Sequence, residues 1–499
     1  MTKRFLSVLL ALLMLAPTLA ACSESTVNTD TTANETTASQ DPAAEEGTEE
    51  VPEETELQPD LPAITFNDQT FTFLTSGAND TNGVDWETYD IWVEAMNGDV
   101  VNDSVFERNL YLEDLYKVKI AEFKTEGATL DEIKKEVQAD TGAFNAAITH
   151  IENGATLAQG GFLYNLYNVT NIDTAKPWWD QRAVYDLEIL GKLYFATGDI
   201  TVIDNDATWV LMFGKQMHEN YQLENLYDLV RENKWTYDVM LDMISKTTAD
   251  LDGDGKMTKA DQFGFITSGD SGYGLLYASG EKLAAFDADK NIIPLDNPER
   301  LSGVVEKASL LMSNLDLTFI TGRDGTGADD IRFMFEEGRG LFFGEVMQCI
   351  TRMRASENDF GLIPWPKYDE AQEDYYNWIH TTAGRGVVIP SSQDDLEMAG
   401  VIVEAMAAKS MYTVTKAYYD VALTYKYMRD HESAEMLDII LQSRIYDLAK
   451  IYNTGGAVGN IATLITSGSG NFASTWKTTQ KVFSKLLEKT IKNFEELEG

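Results

Sequence analysis

The apolar positions follow two periods along the chain, and each period predicts its own elements. Phe71-Thr72-Phe73-Leu74 is a short apolar strand run ending at the turn signal Ser76-Gly77. Asp103-Ser104 reads as the cap of a helix running through Tyr116, with Val105, Leu112 and Leu115 as its apolar positions. Lys117-Val118-Lys119-Ile120 alternates as a strand does, Thr129 and Glu132 fit a capping box, and Ala146 to Thr149 reads as a buried strand. Leu193 to Ala196, Leu341 to Phe343 and Val387 to Ile389 read as further strands. Helices are expected over 223–232, over 237–248, and from Asp329 to Glu337 with a stop at Gly338. From Glu397 onward the chain reads as mostly helical, and Trp476, Phe483, Leu487 and Phe494 share one face. This alternation predicts an α/β fold with a largely parallel sheet and a helix-rich C-terminal part. Ligands of such sheets bind beyond the carboxyl ends of the strands, which places His150, Glu152 and Asn153 on a candidate rim.

The first sixty residues break both periods. Lys3 and Arg4 precede the apolar run Phe5 to Ala16, and Leu19-Ala20-Ala21-Cys22 follows. Basic residues, a short apolar segment and small residues describe a secretory signal peptide over 1–21, too short to span a bilayer. The Leu-Ala-Ala-Cys ending resembles a bacterial lipobox, in which Cys22 becomes the lipidated first residue; an ordinary cleavage site beside a chance cysteine is the alternative. Residues 23–60 hold twelve acidic residues, no basic one and no aromatic. Such a stretch cannot bury enough apolar surface to fold and is expected to act, with Cys22, as a solvated tether over 22–60. The implied location is the outer face of the cell membrane, reached through the lipid anchor alone.

Charge and composition then exclude whole classes of function. The 499 residues carry 81 acidic against 39 basic side chains, a net charge of −42, which would repel a phosphate backbone and so excludes nucleic acid. Apolar residues at 44% still predict a folded body. With Cys22 consumed by lipid, Cys349 is left alone, read as a buried thiol beside the strand at 341–343.

The sharpest motif is Asp250-Leu-Asp252-Gly-Asp254-Gly255-Lys256-Met-Thr258-Lys-Ala-Asp261. Oxygens at positions 1, 3, 5, 7, 9 and 12, with glycine at 6, match a calcium loop. Asp250, Asp252 and Asp254 would give carboxylates, Lys256 its carbonyl and Thr258 a hydroxyl or a bridging water. Asp261 would close the site on a shorter arm than the usual Glu. A single such loop implies a structural clip; an ion-free Asp/Gly turn is the alternative. The tryptophans form a second pattern. Trp178-Trp179-Asp180 lies in a loop-like stretch, Trp365 sits between prolines, and Trp378 is two residues before His380. Flat rings with carboxylates beside them suit sugars, which offer an apolar C–H face and a rim of hydroxyls. Two adjacent indoles are expected to share one core face poorly, which favours Trp178 and Trp179 as the sugar platform. Trp235 is expected to pack in the core.

No G-x-S-x-G elbow, H-E-x-x-H pair or Walker loop is present, and the four histidines are scattered, so no catalytic residues are assigned. A glycosidase carboxylate pair would be invisible at this level, which keeps a surface glycan-acting enzyme, or a passive glycan-binding adhesin, as the alternatives.

Several stretches together resemble the extracellular solute-binding proteins of ABC importers, in particular the sugar-binding family 1 group. They are Asn102 to Ile120, Ala155 to Asn165, Pro177 to Phe195, the Asp-rich loop ending Gln262-Phe-Gly-Phe265, and Glu337 to Glu370. The resemblance implies a two-lobed periplasmic-binding-protein fold, type II-like. Its lobes would be 61–188 plus 384–430, and 189–383 plus 431–499, closing on a ligand between them. It further implies a monomeric receptor that delivers a carbohydrate, an oligosaccharide in the first instance, to ABC permease subunits. Besides the rim and Trp178, Trp179 and Asp180, the cleft positions it suggests are Asp204, Asp206, Glu345, Trp365 and Trp378.

Overall fold

A hydrophobic strand run in a chain of this kind must find partners for its backbone and cover for both faces, and two sheets do this. In the computed structural model, which describes residues 56–77, 86–295, 297–353, 355–424, 431–468 and 471–497, the Phe71 run becomes the strand Gln69–Ser76. It lies between Val118–Thr125 and Ala146–His150, parallel to both, while Arg385–Val388 adds antiparallel to the latter. Phe71, Phe73 and Leu74 are fully buried. The second sheet has five strands in the order Phe360–Ile363, Trp209–Gly214, Gly340–Val346, Phe263–Thr267, Thr318–Ile320. Its first two pairings are antiparallel and its last two parallel. The fold is therefore α/β with mixed sheets, and the expected largely parallel sheet is corrected. The antiparallel strands arise where the chain returns from one sheet to the other.

Two stretches make that passage. Ala196 bridges Val387 at the edge of the first sheet, and Thr208 bridges Ile379 beside the second. Segments 196–209 and 379–387 thus run together between the sheets. The run predicted as a strand at 193–196 is consequently extended chain with an isolated bridge.

Most helices fall where periodicity predicts, with shifted ends. The first runs Val100–Tyr116 and is capped by Asp99, whose carboxylate accepts from Val101 N and Asn102 N. Asp103 instead sits one turn in and accepts from Asn97 N at 2.9 Å. Helix Thr129–Ala139 has no side-chain cap, because its N-cap residue is Ala128; Thr129 lies inside the first turn, with its hydroxyl on Thr149 at 2.7 Å. Helices Leu226–Arg231, Tyr237–Thr247 and Ala328–Glu336 match their forecasts closely, and Gly338 supplies the positive φ of 72° after the last. The C-terminal helix Phe472–Glu496 buries Trp476, Phe483, Leu487 and Phe494, as its periodicity requires. The signal peptide, Cys22 and most of the acidic tether lie outside the described residues. No helix among the described residues is long and apolar enough to cross a membrane.

Candidate functional site

Strands Phe263–Thr267, Thr318–Ile320 and Gly340–Val346 run parallel, and their carboxyl ends open onto a cleft of about 410 Å³. Ser268 and Asp270 follow the first strand, Thr321 follows the second, and Glu345 and Val346 end the third. Helix Ala328–Glu336 contributes Asp329 and Arg332, and the short helix Gln348–Arg352 contributes Gln348, Cys349 and Arg352. Trp209 enters from the neighbouring antiparallel strand, in register with Val346, and His380 from the return segment. Trp86 is the lining residue from the side of the first sheet.

Trp86 is held by its backbone surroundings. Buried Arg385 donates to the Trp86 carbonyl at 2.8 Å, and Thr88 N donates to Ser76 O at 3.0 Å. Tyr89 donates to Asp206 at 2.8 Å. The ring therefore projects from a fixed base, which is what a stacking surface needs to avoid ordering costs on binding.

The opposite wall is an aromatic stack. Trp209 lies 5.4 Å from Trp378, Tyr273 stacks on Trp378 at 5.0 Å, and His380 sits 5.1 Å from Trp378. Burial lowers the His380 pKa, so its imidazole is neutral, and Asp270 lies 3.9 Å away. Burial pushes the Glu345 carboxyl up to about 7; the Val346 N–H opposes this, Asp270 adds to it and Arg352 opposes it. Arg332 is bound by Asp329 at 3.1 Å and by Glu336 at 2.7 Å. Burial drives the Cys349 thiol pKa upward, so it is no nucleophile.

Of the residues singled out in the sequence, Glu345 lines this cleft and Trp378 backs it from beneath His380. Trp365 is fully buried against Phe265. Trp178 and Trp179 correct the expectation of an exposed sugar platform. Both are buried, and their indole N–H groups donate to the two oxygens of Glu404, each at 3.0 Å. One buried carboxylate thus satisfies both rings and lets adjacent indoles enter the core together. Gly198 closes that packing, since a Cβ there would lie 2.3 Å from the Trp178 carbonyl.

Trp178, Trp179, Asp180 and Asp204 do come together, in the lining of a second cavity of about 480 Å³, while the carboxylates of Asp180, Asp204 and Asp206 are engaged by neighbouring side chains. Asp180 caps helix Gln181–Leu187 and pairs with Arg444 at 2.9 Å, while Asp204 meets the same guanidinium at 3.1 Å. Asp206 accepts from Tyr89 and Tyr418, both at 2.8 Å. On the expected rim, His150 ends its strand opposite Arg385. Glu152 accepts from Thr381 at 2.5 Å and from Lys450, and Asn153 reaches Thr149 at 3.3 Å. These three join elements to one another and are not lining residues of the cleft. Sequence reasoning missed Trp86, Asp270, Arg332 and Arg352. A signal existed for Asp270, because Ser268-Gly269-Asp270 directly follows the apolar run Phe263–Thr267.

In the Asp-rich loop, the carboxylates of Asp250, Asp252 and Asp254 bring oxygens within 4.8 Å of one another. Gly253 and Gly255 turn the loop with φ of 74° and 81°. The residues therefore fit a hard cation on one side. Asp261 is buried and anchors the loop from within, accepting from Leu251 N at 2.9 Å and Thr258 N at 2.7 Å.

No protein-family model matches the chain, and no curated protein does. Solved structures match in fold. A maltose-binding periplasmic protein from Listeria monocytogenes, in complex with maltose, superposes with a TM-score of 0.55 at 16% identity, covering 85% of this chain and 99% of that one. An ABC substrate-binding protein from the same organism, in complex with cycloalternan, gives 0.53 at 12% identity, with coverage of 85% and 99%. The GacH receptor of Streptomyces glaucescens, solved unliganded and with acarbose, gives 0.51 at 14% identity, with coverage of 86% and 100%. The chain has the two-lobed α/β fold of these solute-binding proteins.

Proposed function

We propose that this chain is a carbohydrate receptor for an ABC importer, lipid-anchored through Cys22 and held off the outer membrane face by its acidic tether. The observation that carries the reading is the cleft itself. Indoles from the sides of both sheets meet carboxylates at the carboxyl ends of parallel strands, in a fold shared with proteins crystallised with maltose and cycloalternan. The lobes would be 61–188 plus 384–430, and 189–383 plus 431–499, with closure about segments 196–209 and 379–387. As a monomer it would present the closed form to permease subunits.

Calorimetry against an oligosaccharide panel, with product analysis of the same samples, tests this. Stoichiometric uptake with no product is expected; steady release of reducing ends would replace the receptor with a glycan-acting enzyme. Binding is expected to quench tryptophan fluorescence. Trp86→Ala is expected to weaken sugar binding by about 2 kcal/mol, a factor of about 30, with an unchanged melting temperature. A variant that binds as the parent does would remove Trp86 from the site.

We further propose that calcium occupies the loop as a clip, held by Asp250, Asp252 and Asp254 with the Lys256 carbonyl and Thr258, while Asp261 fixes the loop. Millimolar calcium is expected to raise the melting temperature by about 2–4 °C, and Asp252→Ala to abolish the rise. Equal shifts with and without Asp252 would place the ion elsewhere.

A further inference from the structure

The cleft described above has an imbalance of charge that hydroxyl recognition does not require. Its lining holds three carboxylates, Asp270, Asp329 and Glu345, and two guanidinium groups, Arg332 and Arg352. Arg332 is spent on Asp329 and on Glu336, which lies one turn along the same helix. That trio has one negative charge to spare. Arg352 donates to Gln348 on its own helix at 3.2 Å and faces Glu345. Against this single cation stand two carboxylates. Asp270 has His380 as its nearest cationic neighbour, at 3.9 Å, and that ring is neutral. The Glu345 carboxylate accepts from Val346 N at 3.0 Å. The surplus is therefore negative on both flanks of the cleft.

The surroundings sharpen that preference. Trp86, Trp209 and His380 present ring surfaces to the same space, and indole faces attract cations. The whole chain, at −42, attracts cationic solutes and repels anionic ones. A neutral sugar gains nothing from either field, and a uronic acid is opposed by both.

Resting on the carbohydrate reading above, we infer that the guest is an amino sugar whose protonated amine sits between Asp270 and Glu345 against the indole wall. The ammonium supplies the missing positive charge, donates to both carboxylates, and lies against ring faces that attract it. Hydroxyls on the rest of the guest go to Ser268, Thr321 and Gln348. Beside Asp270 and Glu345, Arg352 leaves one negative charge uncompensated, which one added cation neutralises.

The test uses the mature chain in calorimetry at pH 7.5 against glucosamine oligomers of two to four units. Their N-acetylated counterparts, maltooligosaccharides and galacturonic acid oligomers complete the panel. The free-amine oligomers are expected to bind about tenfold more tightly than any acetylated or unsubstituted sugar, and the uronates least. Asp270→Asn is expected to erase the tenfold preference, because it lowers the affinity for the free-amine oligomers about tenfold more than the affinity for their N-acetylated counterparts. Affinity for the amine guest is expected to fall at pH 6, where the Glu345 carboxyl holds its proton and Asp270, His380 and Arg352 around it leave less net negative charge. Unsubstituted sugars binding as tightly as the amines, or uronates binding better, would overturn this inference and leave the receptor reading standing. No binding by any saccharide would remove both.

Discussion

Replacing Arg444 with methionine is expected to cost the fold about 3–5 kcal/mol, read as a lowered urea midpoint at unchanged slope. The side chain is nine-tenths buried, and its guanidinium holds Asp180 at 2.9 Å, Asp204 at 3.1 Å and the Asn205 amide oxygen at 3.0 Å. Asp204 is itself buried, and burial raises its pKa to about 7, with Arg444 opposing the rise and Asp180 and Asp199 adding to it. Without the cation two largely buried carboxylates remain unpaired at the wall of the cavity they line, so most of the cost is that of uncompensated charge and not of a lost contact. The same cluster joins helix Gln181–Leu187, segment 196–209 and the strand Arg444–Ile445, which pairs with Asn377–Trp378. Three chain regions therefore loosen together. Adding Asp204→Asn to the methionine variant is expected to restore about half of the loss, because it removes one of the stranded charges. A loss below about 1 kcal/mol would mean that solvent reaches the cluster.

That cluster also explains what the sequence could and could not reveal. The strands at Phe71, Ala146, Leu341 and Val387 were legible because a buried strand must be apolar on both faces, a local property. The passage of the chain between sheets was not legible, since the Ala196 to Val387 bridge joins residues nearly two hundred apart. The site suffered in the same way. Trp178-Trp179-Asp180 has the composition of a sugar platform, yet Glu404 and Arg444, both more than two hundred residues away, turn it into core. A lone buried acid in the helix Leu396–Tyr412 was the available hint, and only its partners give it meaning. Glu345 was reachable because it ends a strand that periodicity marks. Trp86 was not, because the backbone that fixes it is held by Arg385 from a different part of the chain.

Lowering the pH from 8 to 6 is expected to stabilise the protein by about 4–6 kcal/mol, against the usual assumption that acidic proteins prefer neutral buffer. Burial raises four carboxyls to about 7, Asp199, Asp204, Glu345 and Glu404, and a fifth, Asp206, to about 6. In the unfolded chain the same groups titrate near 4. Between these values the folded state binds protons that the unfolded state has released, so folding is favoured as pH falls through 7. At pH 8 all five must be ionised in the fold, and that penalty is what acidification relieves. Relief by each group is complete near its unfolded value. Below that, carboxyls held low in the fold reverse the trend, as Asp103 does through the Asn97 N–H. Mutual repulsion across a chain of net charge −42 adds in the same direction, and its share is separable because salt screens it while the buried groups are screened far less. Urea titrations at pH 6 and 8 in 0.3 M salt therefore isolate the buried carboxyls. Glu404→Gln should flatten the profile by about 1 kcal/mol, one group's share over that interval. A stability that is flat or higher at pH 8 would mean that these carboxyls are ionised without penalty. The indoles of Trp178 and Trp179 would then be donating to a solvated Glu404, contrary to the packing that removes them from the cleft.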